Sequence, residues 1–387
     1  FLRHSVFWRT DVFGAEQSPG FPWDGAAVVL ILIFAAVAMI VKRSGENGRT
    51  RIGRPKLHAV QAAALLLLLV PAGMHAVDRN ERGFLAVRLA AHAGKWEEVT
   101  GRMTGPAARF PISLIHFNRA LCHSGRLAAD FFTVPGNFRG NGLFPDRDSR
   151  FQAPLDCSDL YMDLGHVNEA KRWAFEALTL YGESADVLKR LAETHIVSGQ
   201  DSAAARILDR LRLNPFAGRW ADLQRTLLSG SAAGDGGSVP AGRVREMAGR
   251  MPETDFIVDS RNPGRDMERL AQAAPDNRMA VEYLLMSDLL GRDLANFTRN
   301  IVRFRSTLPD PLPALYEEGL IAALSTARAA DPAAASIPVR KTTLDRFADF
   351  ERILKAHGIR SGEAAADLGR RHAATYWYYL LYAKPAG

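Results

Sequence analysis

The sequence predicts an all-α protein: a transmembrane helical hairpin followed by an α-solenoid of stacked helix pairs. Three observations predict it. Two long charge-free runs, 25–41 and 58–77, flank a basic segment. Beyond residue 78 a helix–Gly–helix pattern recurs, with 34 residues between Gly165 and Gly199. Strand signals are nearly absent, "DFIVD" (255–259) being the one short candidate.

The first element is the hairpin, 25–77. "GAAVVLILIFAAVAMIV" and "HAVQAAALLLLLVPAGMHAV" hold 17 and 20 residues without a formal charge. At about 1.5 Å rise per residue, each reaches across a hydrocarbon core of about 30 Å, the first barely. Pro71 would kink the second run, which a packed membrane helix tolerates. The joining segment 42–57 carries Lys42, Arg43, Arg49, Arg51, Arg54 and Lys56 against one Glu. Short loops rich in Lys and Arg stay in the cytoplasm. Residues 1–24 and everything after 77 are therefore expected outside it, in the periplasm of a bacterial inner membrane. An extracytoplasmic start implies further spans before Phe1. The competing reading is a soluble helical protein that buries both runs as core.

The second element is the repeat. "DLGHVNEAKRWAFEALTLYG" aligns with "VSGQDSAAARILDRLRLNPF", so that Ala170 and Ala204 are also 34 residues apart. This is the spacing of tetratricopeptide (TPR) repeats, in which small residues let paired helices approach. Tyr161, Gly165, Ala170 and Ala177 fit the pattern in 151–184. Leu188, Leu191, Ala192, Gly199, Ala204 and Pro215 fit it in 185–218. Weaker units surround Gly94, Gly125 and Gly291. The predicted fold class is thus a TPR-like α-solenoid behind a transmembrane hairpin, with a generic helical bundle as the alternative. The expected organisation is repeats over 78–228, an inserted loop at 135–154, a flexible linker at 229–242 ("SGSAAGDGGSVPAG") and a second helical region at 243–387. The terminal "TYWYYLLYA" (375–383) is read as a cap on the solenoid core rather than an interfacial anchor.

Four stretches carry a resemblance: "FNRALCHSGRLAADFF", "LYMDLGHVNEAKRWAFEAL", "NRMAVEYLLMSDLLGRDLANF" and "TYWYYLLYA". Through them most of the chain resembles an uncharacterised bacterial family of multi-spanning membrane proteins with a C-terminal TPR-like region, known only as a domain of unknown function. The resemblance implies further spans before Phe1. It implies no activity and no catalytic residues.

Composition narrows the chemistry. Net charge is +7, but the basic loop alone supplies +5 and residues 78–387 keep only +3. That is a mixed surface, and no nucleic-acid partner is expected. No zinc signature, P-loop, Gly-x-Ser-x-Gly elbow or dinucleotide fingerprint is present, so no catalytic residue, metal site or cofactor is assigned. Cys122 and Cys157 fall about five residues out of step in the repeat frame, too far apart to bridge, and are expected as buried free thiols. In the inserted loop, Phe138, Phe144 and Phe151 are expected to anchor it, while Asp146 and Asp148 read as a solvated turn.

A binding surface follows from solenoid geometry. The first helices of the pairs line a concave groove, where the repeat frame places Arg119 and His123, then Asp159 and Asp163, then Lys189 and Glu193. Alternating charge suits a protein or peptide partner. The expectation is a membrane-anchored extracytoplasmic scaffold in the bacterial envelope, its partners being the lipid bilayer and a protein or peptide. The alternative is an accessory C-terminal part of a membrane enzyme, such as a lipid-linked glycosyltransferase, whose catalytic part lies before Phe1.

Overall fold

Four helix pairs open the body of the protein. They are α1 (Arg79–His92) with α2 (Trp96–Arg102), α3 (Pro111–His123) with α4 (Leu127–Asp130), α5 (Pro154–Asp163) with α6 (Val167–Tyr181), and α7 (Ala185–Val197) with α8 (Asp201–Arg212). α9 (Gly218–Leu228) closes the series. The computed structural model describes residues 79–383 apart from 104, 106, 140–141, 146–152, 229–245, 253–262, 326–331 and 360.

Every first helix of these pairs ends in the same way. Gly94, Gly125, Gly165 and Gly199 take φ of +68°, +66°, +82° and +66°. The Gly165 N–H donates to the Met162 carbonyl at 3.1 Å, and the His166 N–H to the Tyr161 carbonyl at 2.9 Å. The same two bonds recur at Gly94–Lys95, Gly125–Arg126 and Gly199–Gln200. This is a Schellman cap: a left-handed residue satisfies the last carbonyls and turns the chain into the next helix. Where the paired helices cross, Ala170, Ala174, Ala177, Ala192, Ala204 and Ala221 are all fully buried. Small side chains there allow close approach, and Leu188, Leu191, Leu208 and Leu211 fill the space between pairs.

The chain continues with α10 (Pro263–Ala273), α11 (Arg278–Leu290), α12 (Leu294–Arg303), α13 (Ala314–Ser325), α14 (Lys341–His357), α15 (Gly362–Arg371) and α16 (Tyr376–Tyr382). The α11–α12 turn repeats the Schellman bonds one residue later than the glycine suggests. Gly291 keeps a helical φ of −73°, and Arg292 takes the left-handed conformation at +57°. Its guanidinium donates to the Ala383 carbonyl at 2.6 Å, tying the turn to the chain beyond α16.

Residues 83–387 form one unit with an all-α architecture, and no strand occurs among the described residues. The helices on either side of 229–245 touch. Cys122 Sγ donates to Glu282 at 3.2 Å, and Asn277 Nδ2 donates to the Leu164 carbonyl at 3.0 Å. The terminal aromatics are core: Tyr376, Trp377 and Tyr379 are buried, and their polar tips reach the Leu289, Glu318 and Leu290 carbonyls at 2.8–3.0 Å. In the inserted loop, Phe138 packs tilted against Phe132 and Phe144 edge-on against Tyr283, with ring centroids 4.8 and 5.6 Å apart. Asn118 and Asn137 exchange amide hydrogen bonds at 3.0 and 3.1 Å beneath it. Both cysteines are free thiols, Cys157 buried and Cys122 half-buried.

The hairpin 25–77, the strand candidate 255–259, the linker 229–242, and Phe151, Asp146 and Asp148 lie outside the described residues. No described helix is long and apolar enough to cross a membrane.

Candidate functional site: a charged network across four first helices

Counting back from each left-handed glycine reveals three aligned positions. Nine, six and two residues before Gly125 stand His116, Arg119 and His123; before Gly165 stand Asp156, Asp159 and Asp163. Arg88 and His92 occupy the last two positions before Gly94, and Arg190 and Glu193 the first two before Gly199. Steps of three and four residues keep these side chains on one helix face. Basic and acidic columns therefore meet when the helices stack side by side.

Asp156 is fully buried, and its Oδ1 receives Arg88 Nε at 2.9 Å, His116 Nε2 at 2.9 Å and His92 Nε2 at 3.1 Å. Arg88 Nη2 lies 2.7 Å from the other oxygen. Asp163 Oδ2 accepts two bonds from Arg119, at 2.9 and 2.7 Å, and one from His123 at 3.0 Å. Asp159 sits between them, paired with Arg190 and 3.5 Å from His92. Arg190 also reaches Glu193 at 2.8 Å. Trp96 covers one edge: the His123 ring stacks on it at 4.2 Å, and the Arg119 guanidinium lies 5.5 Å from its centroid.

The electrostatics follow from this pairing. Burial pushes the Asp156 carboxyl up, but bonds from His116 and His92 and the Arg88 charge outweigh it and hold the group well below the usual carboxylate range. Burial likewise opposes ionisation of Asp163. The Arg119 charge and the His123 bond overcome it, again holding the group far below its ordinary value. His92 is desolvated too, yet its bond to Asp156 and the neighbouring carboxylate charges raise its pKa. His116 goes the other way, because burial prevails over the Asp156 bond.

His92, His116 and Asp156 bring their ligand atoms within 4.8 Å of one another, close enough to surround a metal ion. The donors around them argue otherwise. Arg119 Nη1 lies 3.1 Å from His116 Nδ1, and a guanidinium only donates. Nδ1 must therefore offer its lone pair, which leaves the proton on Nε2, pointing at Asp156. That nitrogen has no lone pair for a metal. Arg119 is itself held by Asp163 and cannot yield without breaking the pair. The arrangement is a closed ion-pair network with His116 as a neutral bridge.

The structure brings five of the six expected groove residues into this network. Arg119, Asp159 and Asp163 form its buried floor, with His123 and Glu193 at its accessible rim. Lys189 is not part of it. It sits one residue before the aligned position, about 100° around the helix, and pairs with Asp186 at 3.5 Å. Sequence reasoning missed Arg88, His92, His116, Asp156 and Arg190. The missing signal was the column nine residues before each glycine, together with the constant 40-residue offset from His116, Arg119 and His123 to Asp156, Asp159 and Asp163.

Fold and site together define an all-α protein whose adjacent helix pairs are joined by a buried ion-pair network with a partly accessible rim. The chain belongs to the DUF6057 family, a family of unknown function whose model matches residues 16–383. Neither a curated protein nor a solved structure matches it.

Proposed function

We propose that residues 78–387 act as a TPR-like α-solenoid scaffold that binds a protein or peptide partner through the charged face of its first helices. The apolar runs 25–41 and 58–77 tether it to the bacterial inner membrane, and the basic loop between them sets the scaffold on the extracytoplasmic side. The repeated Schellman turns and the spacing of 34 residues from Gly165 to Gly199 support the solenoid reading.

The observation that carries the binding reading is the division of the charged face into floor and rim. The floor carboxylates are already paired, which fixes the geometry before any ligand arrives. The side chains of Arg88, His92, His123 and Glu193 keep 26–32% of their surface accessible and stand ready for a partner's charges. Pre-ordered polar groups lower the ordering cost of association, and mixed charge on the rim selects among partners.

The test is a photocrosslinking residue placed at Glu193 or at Lys189 in native membranes. A discrete adduct at Glu193 that is lost in Arg88→Glu, with Lys189 giving a weaker one, is the expected result. No adduct at either position, or one indifferent to Arg88→Glu, contradicts the reading.

A further inference from the structure

The connection between α8 and α9 holds apolar side chains in water on a fixed backbone. Leu213 and Phe216 are 87% and 94% exposed, the highest values among the described large hydrophobics. The turn beneath them is not slack. Pro215 restricts its own φ, and the Phe216 N–H donates to Asn214 Oδ1 at 2.9 Å. Ala217 is fully buried against the core that contains Leu208 and Leu211. Gly218 lies so close to the preceding helix that a Cβ would stand 3.1 Å from the Arg212 carbonyl. Leu223, 51% exposed and seven residues after Phe216, extends the apolar strip along α9.

Charge accompanies the strip. Arg210, Arg212 and Arg225 are matched by Glu183, Asp222 and Asp209. Arg219, exposed one turn after Phe216, adds a positive charge beyond those pairs. A rigid tip that presents Leu and Phe beside excess Arg is complementary to an apolar layer beneath anionic headgroups.

We propose that the 213–219 tip docks on an anionic lipid surface, with Leu213 and Phe216 entering the headgroup boundary and Arg219 meeting lipid phosphates. Side chains this exposed stand out from the surface, Leu213 beside a concavity lined also by Leu188, Leu211 and Pro215. A fluid interface receives them without a matching pocket, whereas a protein partner would have to supply one. The inference needs a bilayer within reach and so rests on the tether proposed above. It does not rest on the charged groove.

The test reconstitutes the full chain into phosphatidylcholine vesicles with and without phosphatidylglycerol, carrying an environment-sensitive fluorophore on Phe216→Cys. The wild-type chain is the labelling blank, because Cys157 is buried and burial raises the Cys122 thiol well above its ordinary pKa. The expected result is a blue-shifted emission in phosphatidylglycerol vesicles, quenched severalfold more by spin-labelled lipid than the same fluorophore on Leu344→Cys, another exposed site. Adding Arg219→Glu should reverse both effects. A water-like emission at 216 overturns the proposal, as does a blue shift without lipid quenching, which would mean a protein contact. Carbonate washing of the vesicles reports the tether separately: release of the chain sinks the tether whatever the fluorophore reads.

Discussion

The α5 turn and the α11 turn share a backbone and differ in what they bury. Both close with the same pair of Schellman bonds. Nine, six and two residues before the left-handed residue, α5 carries Asp156, Asp159 and Asp163, whereas α11 carries Tyr283, Met286 and Leu290. The cap and the small residues at the crossings build the helix pair in either case. A charged face is therefore not a requirement of the pair. Buried ion pairs seldom stabilise more than well-packed apolar side chains of similar volume. Their concentration on four adjacent first helices, facing an accessible rim, is an argument for recognition rather than for stability.

The two regions also treat buried acids in opposite ways. Around α5, arginines and histidines from neighbouring helices keep the carboxylates ionised. In the C-terminal region, burial pushes Asp288 up to about 7, with the Asn300 amide at 2.8 Å as a neutral partner. Burial also pushes Glu318 up to about 7, against the Tyr376 N–H bond and the Arg346 charge. Asp288 lacks the full charge that an arginine delivers to Asp156 and Asp163; at Glu318 one arginine, Arg346 at 2.9 Å, is outweighed by burial.

The sharpest way to break this comparison is to remove one partner from the network. Asp163→Ala leaves the Arg119 guanidinium buried without the oxygen that accepts two of its bonds, and should cost about 3–5 kcal/mol in denaturant unfolding. A loss below about 1 kcal/mol would mean that the floor is not desolvated.

The next effect is one of pH. A folded-state pKa raised to about 7 means that Asp288 contributes stability present below the unfolded value near 4 and lost as pH rises through about 7. Asp156 and Asp163 have the opposite sign, their contribution being intact above pH about 4 and lost only in strong acid. Hydrogen exchange should therefore show protection in α11 and α12 falling between pH about 4 and 7, by up to roughly 4 kcal/mol from Asp288, whereas the α5 carboxylates contribute no such fall. Asp288→Asn should keep the Asn300 bond and abolish that fall. If it persists unchanged, the shift belongs to another group.

The turns differ more subtly. Both Gly165 and Gly199 are left-handed, so alanine costs about 1–2 kcal/mol at either. A Cβ at Gly165 would also stand 2.8 Å from the Arg250 Cβ, whereas Gly199 has nothing within 4 Å. Gly165→Ala should be the more destabilising in thermal unfolding, and equal shifts would contradict the packing of 246–250 on this turn. Smallest of all, Lys189→Ala should change stability by no more than about 0.5 kcal/mol, because its side chain lies off the aligned face.

The helix pairs were legible because their turns need glycine and their crossings need alanine, and both leave a periodic trace. Gly291 misled by one residue: Arg292 adopts the strained conformation, held by a carbonyl 91 positions away. No local pattern announces such a contact. The charged helix face was legible in outline, since five of its residues were named from the spacing of the glycines. Its burial was not, because exposure depends on neighbours such as Trp96 and on the helices after 245. Placing Lys189 rather than Arg190 on the face was a register error of one residue, visible once the columns are counted from the glycines. His116 went unassigned because its role depends on a tautomer, which spacing cannot reveal.

The central claim is that the charge at this site is already paired across helices, with His116 as its neutral bridge. Nitrogen-15 NMR of labelled histidine tests it directly, with and without added zinc, near neutral pH. The account predicts a neutral His116 imidazole with the proton on Nε2, its signals unmoved by zinc. A proton on Nδ1, or a zinc-dependent shift at Nε2, would contradict it and turn the network into a metal site.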